Sequence, residues 1–295
     1  MEYAPMLSTR DSVLTFAASI HLNPMKKTVI ITGSSSGIGK SAVKEFARAG
    51  WNVVATMRNP ADGVDFKALS NVKVVALDVT DSNSIAAAFK EAIQSYGSID
   101  VVVNNAGYGV DGVFEAMPDE TIQKQFDTNV VGLMRVTREA VKHMRPKRSG
   151  TIIQISSMGG KITFPLYSIY HSTKFAVEGF TESLQYELLP FNIRLKLVEP
   201  GLIATEFTGR SRVFVKPEGT NAYDDYLAKF AVAAEKAMKD AEDPQKVAAM
   251  ILKAASDGSS RMRYPVGAPA PMMITLRKWL SDGMFMTMVR KAYKV

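Results

Sequence analysis

The chain has 295 residues, of which 46% are hydrophobic and 22% charged, so it can bury a large core and is not disordered as a whole. It lacks cysteine, which excludes disulfides, thiolate metal sites and cysteine nucleophiles; its three histidines, His21, His143 and His171, are too few and too scattered for a metal centre. The net charge of +7 is concentrated in residues 261–295, where seven basic groups face one acid, Asp282; the body is nearly neutral, which gives no footprint for nucleic acid.

Residues 1–24 read as an N-terminal extension, loosely ordered or lying before the native start, because Met25-Lys26-Lys27 directly precedes the first strand. A targeting segment is the competing reading, weakened by Glu2, Asp11 and the single Arg10. Lys27–Thr32 is expected to be a fully buried strand, with Val29, Ile30 and Ile31 in a row. Gly33-Ser34-Ser35-Ser36-Gly37-Ile38-Gly39 follows, then a helix to Arg48 with Gly50 in the stop position. A strand feeding a glycine-rich turn and a helix N-terminus makes an anion site: backbone N–H groups point at a pyrophosphate, and glycines let the chain approach it. The cradle residues are Gly33, Ser35, Ser36, Gly37, Ile38 and Gly39.

The second strand, Asn52–Met57, has Met57 where NAD-binding folds of this type place an acid, and Arg58 follows. A guanidinium there can pair with a 2′-phosphate, which favours NADP over NAD; a solvated strand-end arginine is the bland alternative. Strand Val72–Leu77 leads to Asp78-Val79, and a helix over Ser82–Tyr96 is capped by Asp81 and ended by Gly97. Asp78 either contacts the adenine edge or forms a turn. Strand Ile99–Val103 runs into Asn104-Asn105-Ala106-Gly107, whose small residues let the backbone lie against a cofactor. One helix is expected over Asp119–Met144, with Asn129 at its middle either facing solvent or breaking the ladder to hold a water.

Strand Thr151–Ile155 delivers Ser156 and Ser157, and a helix over about 168–189 carries Tyr170 and Lys174 on one face. An ammonium beside a phenol favours the phenolate, and a hydroxyl from Ser157 can hold the oxygen that the phenol protonates. About one Tyr-x-x-x-basic pair is expected by chance in this composition, so the pair gains weight only from the dinucleotide pattern before it. Strand Arg194–Glu199 then leads into Pro200-Gly201-Leu202-Ile203-Ala204-Thr205. Strands of buried type alternating with helices predict an α/β fold with a doubly wound parallel sheet, in one domain over residues 25–267.

In this order and spacing the motifs resemble those of the short-chain dehydrogenases/reductases, in the short rather than the extended branch, from Thr28 to Gly267. They are Thr32-Gly33-x-x-x-Gly37-Ile38-Gly39, Asp78, Asn104-Asn105-Ala106-Gly107, Asn129, Ser157, Tyr170-x-x-x-Lys174 and Pro200-Gly201 with Thr205. The resemblance implies a Rossmann-type fold that binds NADP(H). Tyr170 would be the acid/base and Ser157 would orient the substrate oxygen; Lys174 would tune the phenol and bond the nicotinamide ribose, and Asn129 would hold a relay water. Ser35, Ser36, Ile38, Arg58, Val79, Asn105, Ala106, Gly107, Pro200, Gly201, Ile203 and Thr205 would line the cofactor, with Tyr170 and Lys174. Family members are commonly dimers or tetramers, and the chain is expected in the cytoplasm with no metal.

Residues 206–240 should cover the substrate, Pro244–Ala255 is a structural helix capped by Asp243, and Tyr264-Pro265-Val266-Gly267 suits the last strand. The Met-rich basic tail over 268–295 closes the substrate pocket, touches a membrane surface, or simply packs on the body or a second subunit. The expected activity is hydride transfer between NADP(H) and a carbonyl or secondary alcohol of a lipophilic molecule, such as a steroid, retinoid or aromatic ketone. The competitors are a 3-oxoacyl-carrier-protein reductase-like enzyme and a non-catalytic NADP-sensing or scaffold protein.

Overall fold

The computed structural model describes Met1, residues 26–205 and residues 212–295. The N-terminal extension and the first residues of the expected substrate cover lie outside these. Strands β1 (Thr28–Ile31), β2 (Asn52–Met57), β3 (Val72–Ala76), β4 (Val101–Asn104), β6 (Gly150–Ile155), β7 (Ile193–Pro200) and β9 (Arg263–Val266) form one sheet in the order β3-β2-β1-β4-β6-β7-β9. Every neighbouring pair is parallel. The chain reverses its direction of winding between β1 and β4, and ligands of open α/β sheets bind outside the carboxyl ends at such a point.

Helices cover both faces. Val29 and Ile31 of β1 point to one side, where Ala42, Val43 and Phe46 of α1 (Gly37–Arg48) and Val247 and Ile251 of α7 (Pro244–Ser256) pack on them. Ile30 points to the other, towards Ile85, Ala88, Phe89 and Ala92 of α2 (Ser82–Tyr96) and Val136, Ala140 and Met144 of α4 (Leu133–Lys147). A strand buried on both faces reads as an unbroken apolar run for this reason. The helix ends follow their caps: Asp81 accepts from the N–H of Asn83, Asp243 from that of Gln245, and Gly50 and Gly97 take positive φ just past α1 and at the end of α2.

Two expectations need correction. The helix expected over Asp119–Met144 is α3 (Asp119–Phe126), a π turn over Asp127–Gly132, and α4, which runs on to Lys147. One residue inserted into the 3.6-residue period produces such a turn, and Asn129 sits in it. A second small sheet pairs β5 (Gly109–Gly112) with β8 (Arg212–Val215), so the described part of the cover holds a strand ahead of helix α6 (Asp224–Met238). Arg212 makes a two-pronged ion pair with the buried Asp111, at 2.7 and 2.5 Å, and fixes β8 to the body. The tail packs on the body, one of the alternatives open in the sequence: α8 (Ala270–Arg277) and α9 (Asp282–Tyr293) seat Ile274 and Phe285 on Met158 and Ile162, in the segment just after Ser157.

Candidate functional site

A cleft of about 990 Å³ runs along the carboxyl edge of the sheet. One half is built by the turn after β1. Gly37 there has φ +54°, a left-handed backbone that suits glycine, and faces Thr205 across the cleft. A Cβ on Gly39 would stand 2.3 Å from the carbonyl oxygen of Gly33 and 2.5 Å from the Asn105 amide. Asn105 clamps this turn by donating to the carbonyls of Thr32 (2.9 Å) and Gly33 (3.0 Å), while the Thr32 hydroxyl accepts from the N–H groups of Asn105 and Ala106. The sequence-predicted residues Gly33, Ser35, Ser36, Gly37, Ile38, Arg58, Asp78, Val79, Asn105, Ala106, Gly107, Pro200, Gly201, Ile203 and Thr205 all line the cleft. Gly39 acts one layer behind them, by leaving room.

Arg58 and Asp78 lie just beyond the ends of the adjacent strands β2 and β3, and the Arg58 charge acts on Asp78. Asp78 serves both roles open in the sequence: it lines the cleft, and its carboxylate accepts from the N–H (2.8 Å) and hydroxyl (2.7 Å) of Thr80. Partial burial pushes its pKa upward, but the Thr80 bonds and the Arg58 charge win and hold it below the usual carboxylate range.

The other half holds the hydroxyls and the amine. Helix α5 (Ser168–Leu188) carries Tyr170 and Lys174 one turn apart, and β6 ends at Ser156-Ser157. Ser157 hydrogen-bonds the Tyr170 hydroxyl, and its Oγ also accepts from the Gly159 N–H at 3.0 Å. Ser156, by contrast, is buried, and its hydroxyl has no hydrogen-bond partner among the described residues. The Lys174 ammonium donates to the Ile155 carbonyl at 2.8 Å and lies 5.8 Å from the centre of the Tyr170 ring.

Electrostatics corrects one expectation. Burial pushes the Tyr170 phenol up to about 12, against the Ser157 hydrogen bond, which works to lower it. The same burial pushes Lys174 down to about 8, with the Glu178 charge opposing. Desolvation of the phenol is the largest effect, so burial sets the direction of its shift. Behind Lys174, Glu199 is also fully buried; burial first, then the charge of Glu178, pushes its carboxyl up to about 8 against Arg263 and Lys161.

Asn129 does not face solvent. Its amide donates to the Tyr108 carbonyl (2.9 Å) and accepts from the Tyr108 N–H (3.1 Å), tying the π turn to the loop after β4. A second contact reaches the Thr173 hydroxyl at 3.3 Å, which itself donates to the carbonyl of Tyr170.

An aromatic wall around Tyr170 was not foreseen in the sequence. Phe164, Tyr167, His171 and Tyr293 line the cleft there. Tyr293, three turns into α9, stacks on Phe230 of α6 with centroids 5.6 Å apart and rings 10° from parallel. Tyr167 meets Phe230 edge-on at 6.0 Å. Burial pushes His171 down to about 4, so it stands neutral at pH 7. The residues opposite, Leu202, Val213, Ala234, Ala237 and Met238, are uncharged. The adaptable Met-rich tail pointed towards this end of the cleft; which of its side chains reaches in depends on packing between helices far apart in the chain.

A family model of short chain dehydrogenases matches residues 27–214. An uncharacterized oxidoreductase of Schizosaccharomyces pombe is 38% identical over 240 residues, covering 80% of this chain and 98% of its own. A 3-ketodihydrosphingosine reductase of Bacteroides thetaiotaomicron is 32% identical, covering 90% and 98%. Among solved structures, ElxO with NADP bound superimposes with a TM-score of 0.71 at 27% identity, covering 84% of this chain and all of that one. The seven-stranded parallel sheet, the glycine turn and these relationships make the chain a member of the short-chain dehydrogenase/reductase family of oxidoreductases.

Proposed function

We propose that the chain transfers a hydride between NADP(H) and the carbonyl or secondary alcohol of an uncharged, lipophilic molecule. The observation that carries this reading is the convergence of Ser157, Tyr170 and Lys174 beside a glycine cradle at the sheet's switch point. The residues fit the coenzyme: the Gly37–Gly39 turn leaves space that a Cβ would fill, and β2 ends in Met57, followed by Arg58, with no acid there. The NADP-bound relative points the same way. When bound, NADPH supplies the hydride for the carbonyl carbon.

Ser157 donates to the carbonyl oxygen and holds it against Tyr170. Tyr170 then gives its proton to that oxygen as negative charge develops. A phenol held up at about 12 remains protonated at every working pH, and it is still a far stronger acid than an alkoxide's conjugate alcohol. Lys174 brings positive charge under the departing proton. Asn129 acts by positioning: its amide is spent on Tyr108, so a relay water would meet the main chain of the π turn instead of this side chain. The aromatic wall excludes water and favours apolar carbonyls, and the Bacteroides relative carries the name of a 3-ketodihydrosphingosine reductase.

The test is NADPH oxidation with a panel of ketones running from small and polar to large and apolar. Turnover should rise with apolar size, and no turnover on any member would remove the carbonyl reading. Two variants sharpen it. Arg58→Ala should weaken NADPH binding about 10–100-fold and leave NADH nearly unchanged, as read by coenzyme fluorescence titration. Tyr293→Ala should raise KM for bulky apolar ketones about 5–30-fold and for small ones less than about twofold, because it removes the stacked lid while sparing the chemistry.

The pH profile carries a sign. Lys174 is cationic below about pH 8 and neutral above it, so kcat should fall as pH rises through about 8. Glu199 titrates in the same range. A Glu199→Gln enzyme that keeps the alkaline limb assigns it to Lys174; loss of the limb would reassign it to the buried acid.

A further inference from the structure

Behind Lys174 lies a group of charged side chains for which the proposed reaction has no direct use. Glu199, near the end of β7, is 0% exposed, and Glu178, one turn after Lys174 on α5, is 3% exposed. Arg263, which opens β9, reaches both. Its Nε lies 3.2 Å from Glu178 Oε2 and 3.7 Å from Glu199 Oε1, while its Nη2 donates to Glu182 at 2.6 Å. Lys161, in the segment after β6, stands 3.6 Å from Glu178. The Glu178 charge also acts on Lys174.

The hydrogen bonds around Glu199 do not close. Neither of its carboxyl oxygens has a donor among the described residues, and nor has Oε1 of Glu178. Arg263 at 3.7 Å forms an ion pair with Glu199 but no hydrogen bond. A carboxylate taken wholly out of water without a donor is among the costliest groups a fold can hold, and a like charge beside it adds to the cost. One proton removes both problems, because a carboxyl O–H on one acid is the donor that the other lacks. Glu199 and Glu178 meet closely enough for that bond; burial, then the Glu178 charge, holds the Glu199 carboxyl far above the usual carboxylate range.

We propose that Glu178 and Glu199 share one proton across the contact between α5 and β7, and that the single negative charge left on the pair is the counter-charge of Lys174. The packing connects the pair to the site. A Cβ on Gly160 would stand 2.7 Å from the Ser156 hydroxyl, 2.9 Å from Glu178 Cγ and 3.1 Å from the Lys174 carbonyl oxygen. The acid, the lysine's helix and the strand end that delivers Ser157 are therefore one packed unit. Glu199 is followed by Pro200 and Gly201, which line the cleft. Two charges on the pair would repel across α5 and β7, and none would leave the Lys174 ammonium without compensation; one proton leaves one charge. Glu178 and Glu199 are positioning residues, acting on Tyr170 only through Lys174. The benefit to turnover rests on the carbonyl reading, whereas the shared proton and its effect on Lys174 do not depend on what the cleft reduces.

The test uses the whole chain without substrate. Infrared spectra of protein isotope-labelled in its glutamate carboxyls should contain the carbonyl stretch of a protonated carboxyl at about pH 6, where an exposed glutamate is ionised. The band should fade as pH rises through about 8. Glu199→Gln should lack it, because the amide donates to Glu178 in place of the proton, and Glu182→Gln should retain it. Glu178→Gln removes the like charge and should lower the pH at which the band fades by about one unit. Melting gives an independent reading. The unfolded chain releases this proton near 4.5 and the folded chain only near about 8, so the parent loses stability as pH rises through that interval and levels off above it. The melting temperature of Glu199→Gln relative to the parent should therefore climb between about pH 5 and 8. A Glu199 ionised throughout would give a constant difference. Nitrogen NMR of labelled lysine, with Lys174 assigned by its loss in Lys174→Met, should show that ammonium titrating about one pH unit lower in Glu178→Gln than in the parent. Glu199→Gln should leave it in place.

A spectrum without a protonated glutamate at about pH 6, a band that survives Glu199→Gln, or one that fades at the same pH in Glu178→Gln as in the parent would overturn the shared proton. An unmoved Lys174 titration in Glu178→Gln would overturn the counter-charge. If Glu199→Gln does not fold, the spectra of the parent and of Glu178→Gln decide the question without it.

Discussion

Replacing Tyr170 by Phe should lower kcat by about 10²–10⁴-fold, the range over which a positioned proton donor contributes, while NADPH binds within about twofold of the parent. The reason lies in what the substitution leaves alone. The ring remains among Tyr167 and His171, Lys174 keeps its bond to the Ile155 carbonyl, and the glycine cradle is built by other strands. Only the hydroxyl that meets Ser157 is lost. Coenzyme fluorescence titration and single-turnover kinetics separate the two quantities. Undiminished turnover would remove Tyr170 from the mechanism, and lost NADPH binding would make it a structural residue.

Gly39→Ala should cripple the same enzyme by a different route. The added methyl would stand 2.3 Å from a backbone oxygen and 2.5 Å from the Asn105 amide, neither of which is the free end of a flexible chain. Something must move, and the nearest movable unit is the turn that Asn105 clamps. Overpacking of this kind costs about 1–3 kcal/mol, which corresponds to about 5–150-fold if it falls on coenzyme affinity. We expect weaker NADPH binding together with a lower melting temperature. The two separate the cause from that of Arg58→Ala, which should weaken NADPH without moving the melting temperature, since Arg58 is exposed. A Gly39→Ala protein with normal affinity would mean that the turn is not the pyrophosphate cradle.

Local chemistry was legible in the chain, and long-range chemistry was not. The turn from Gly33 to Gly39 could be read because its strand, glycines and helix are consecutive and each has one physical job. Ser157, Tyr170 and Lys174 could be read because two elements of buried type deliver them to the same edge of the sheet. Asn129 was half read: a polar residue inside an apolar period marks a disturbance, but a π turn and an α turn differ by one residue of register that amphipathicity does not resolve. Strands β5 and β8 left no trace, being four residues each, one bounded by glycines, and paired across about a hundred residues. The stacking of Tyr293 on Phe230 depends on how α9 lies on α6, a tertiary fact.

The phenol's acidity was read in the wrong direction for a related reason. Spacing along a helix gives the distance between an amine and a phenol, but dielectric is set by everything else that surrounds them. Once both are buried, desolvation moves Tyr170 up and Lys174 down, and the pair favours a proton donor rather than a standing phenolate.

The most direct measurement is the fate of a label. NADPH carrying deuterium at C4 is incubated with the enzyme and an apolar ketone, and the product alcohol is examined by mass spectrometry and NMR. One deuterium on the carbinol carbon, from a single face of the nicotinamide and absent with Tyr170→Phe, is the result expected of hydride transfer in this cleft. An unlabelled product, or a labelled one formed equally well without the Tyr170 hydroxyl, would contradict it.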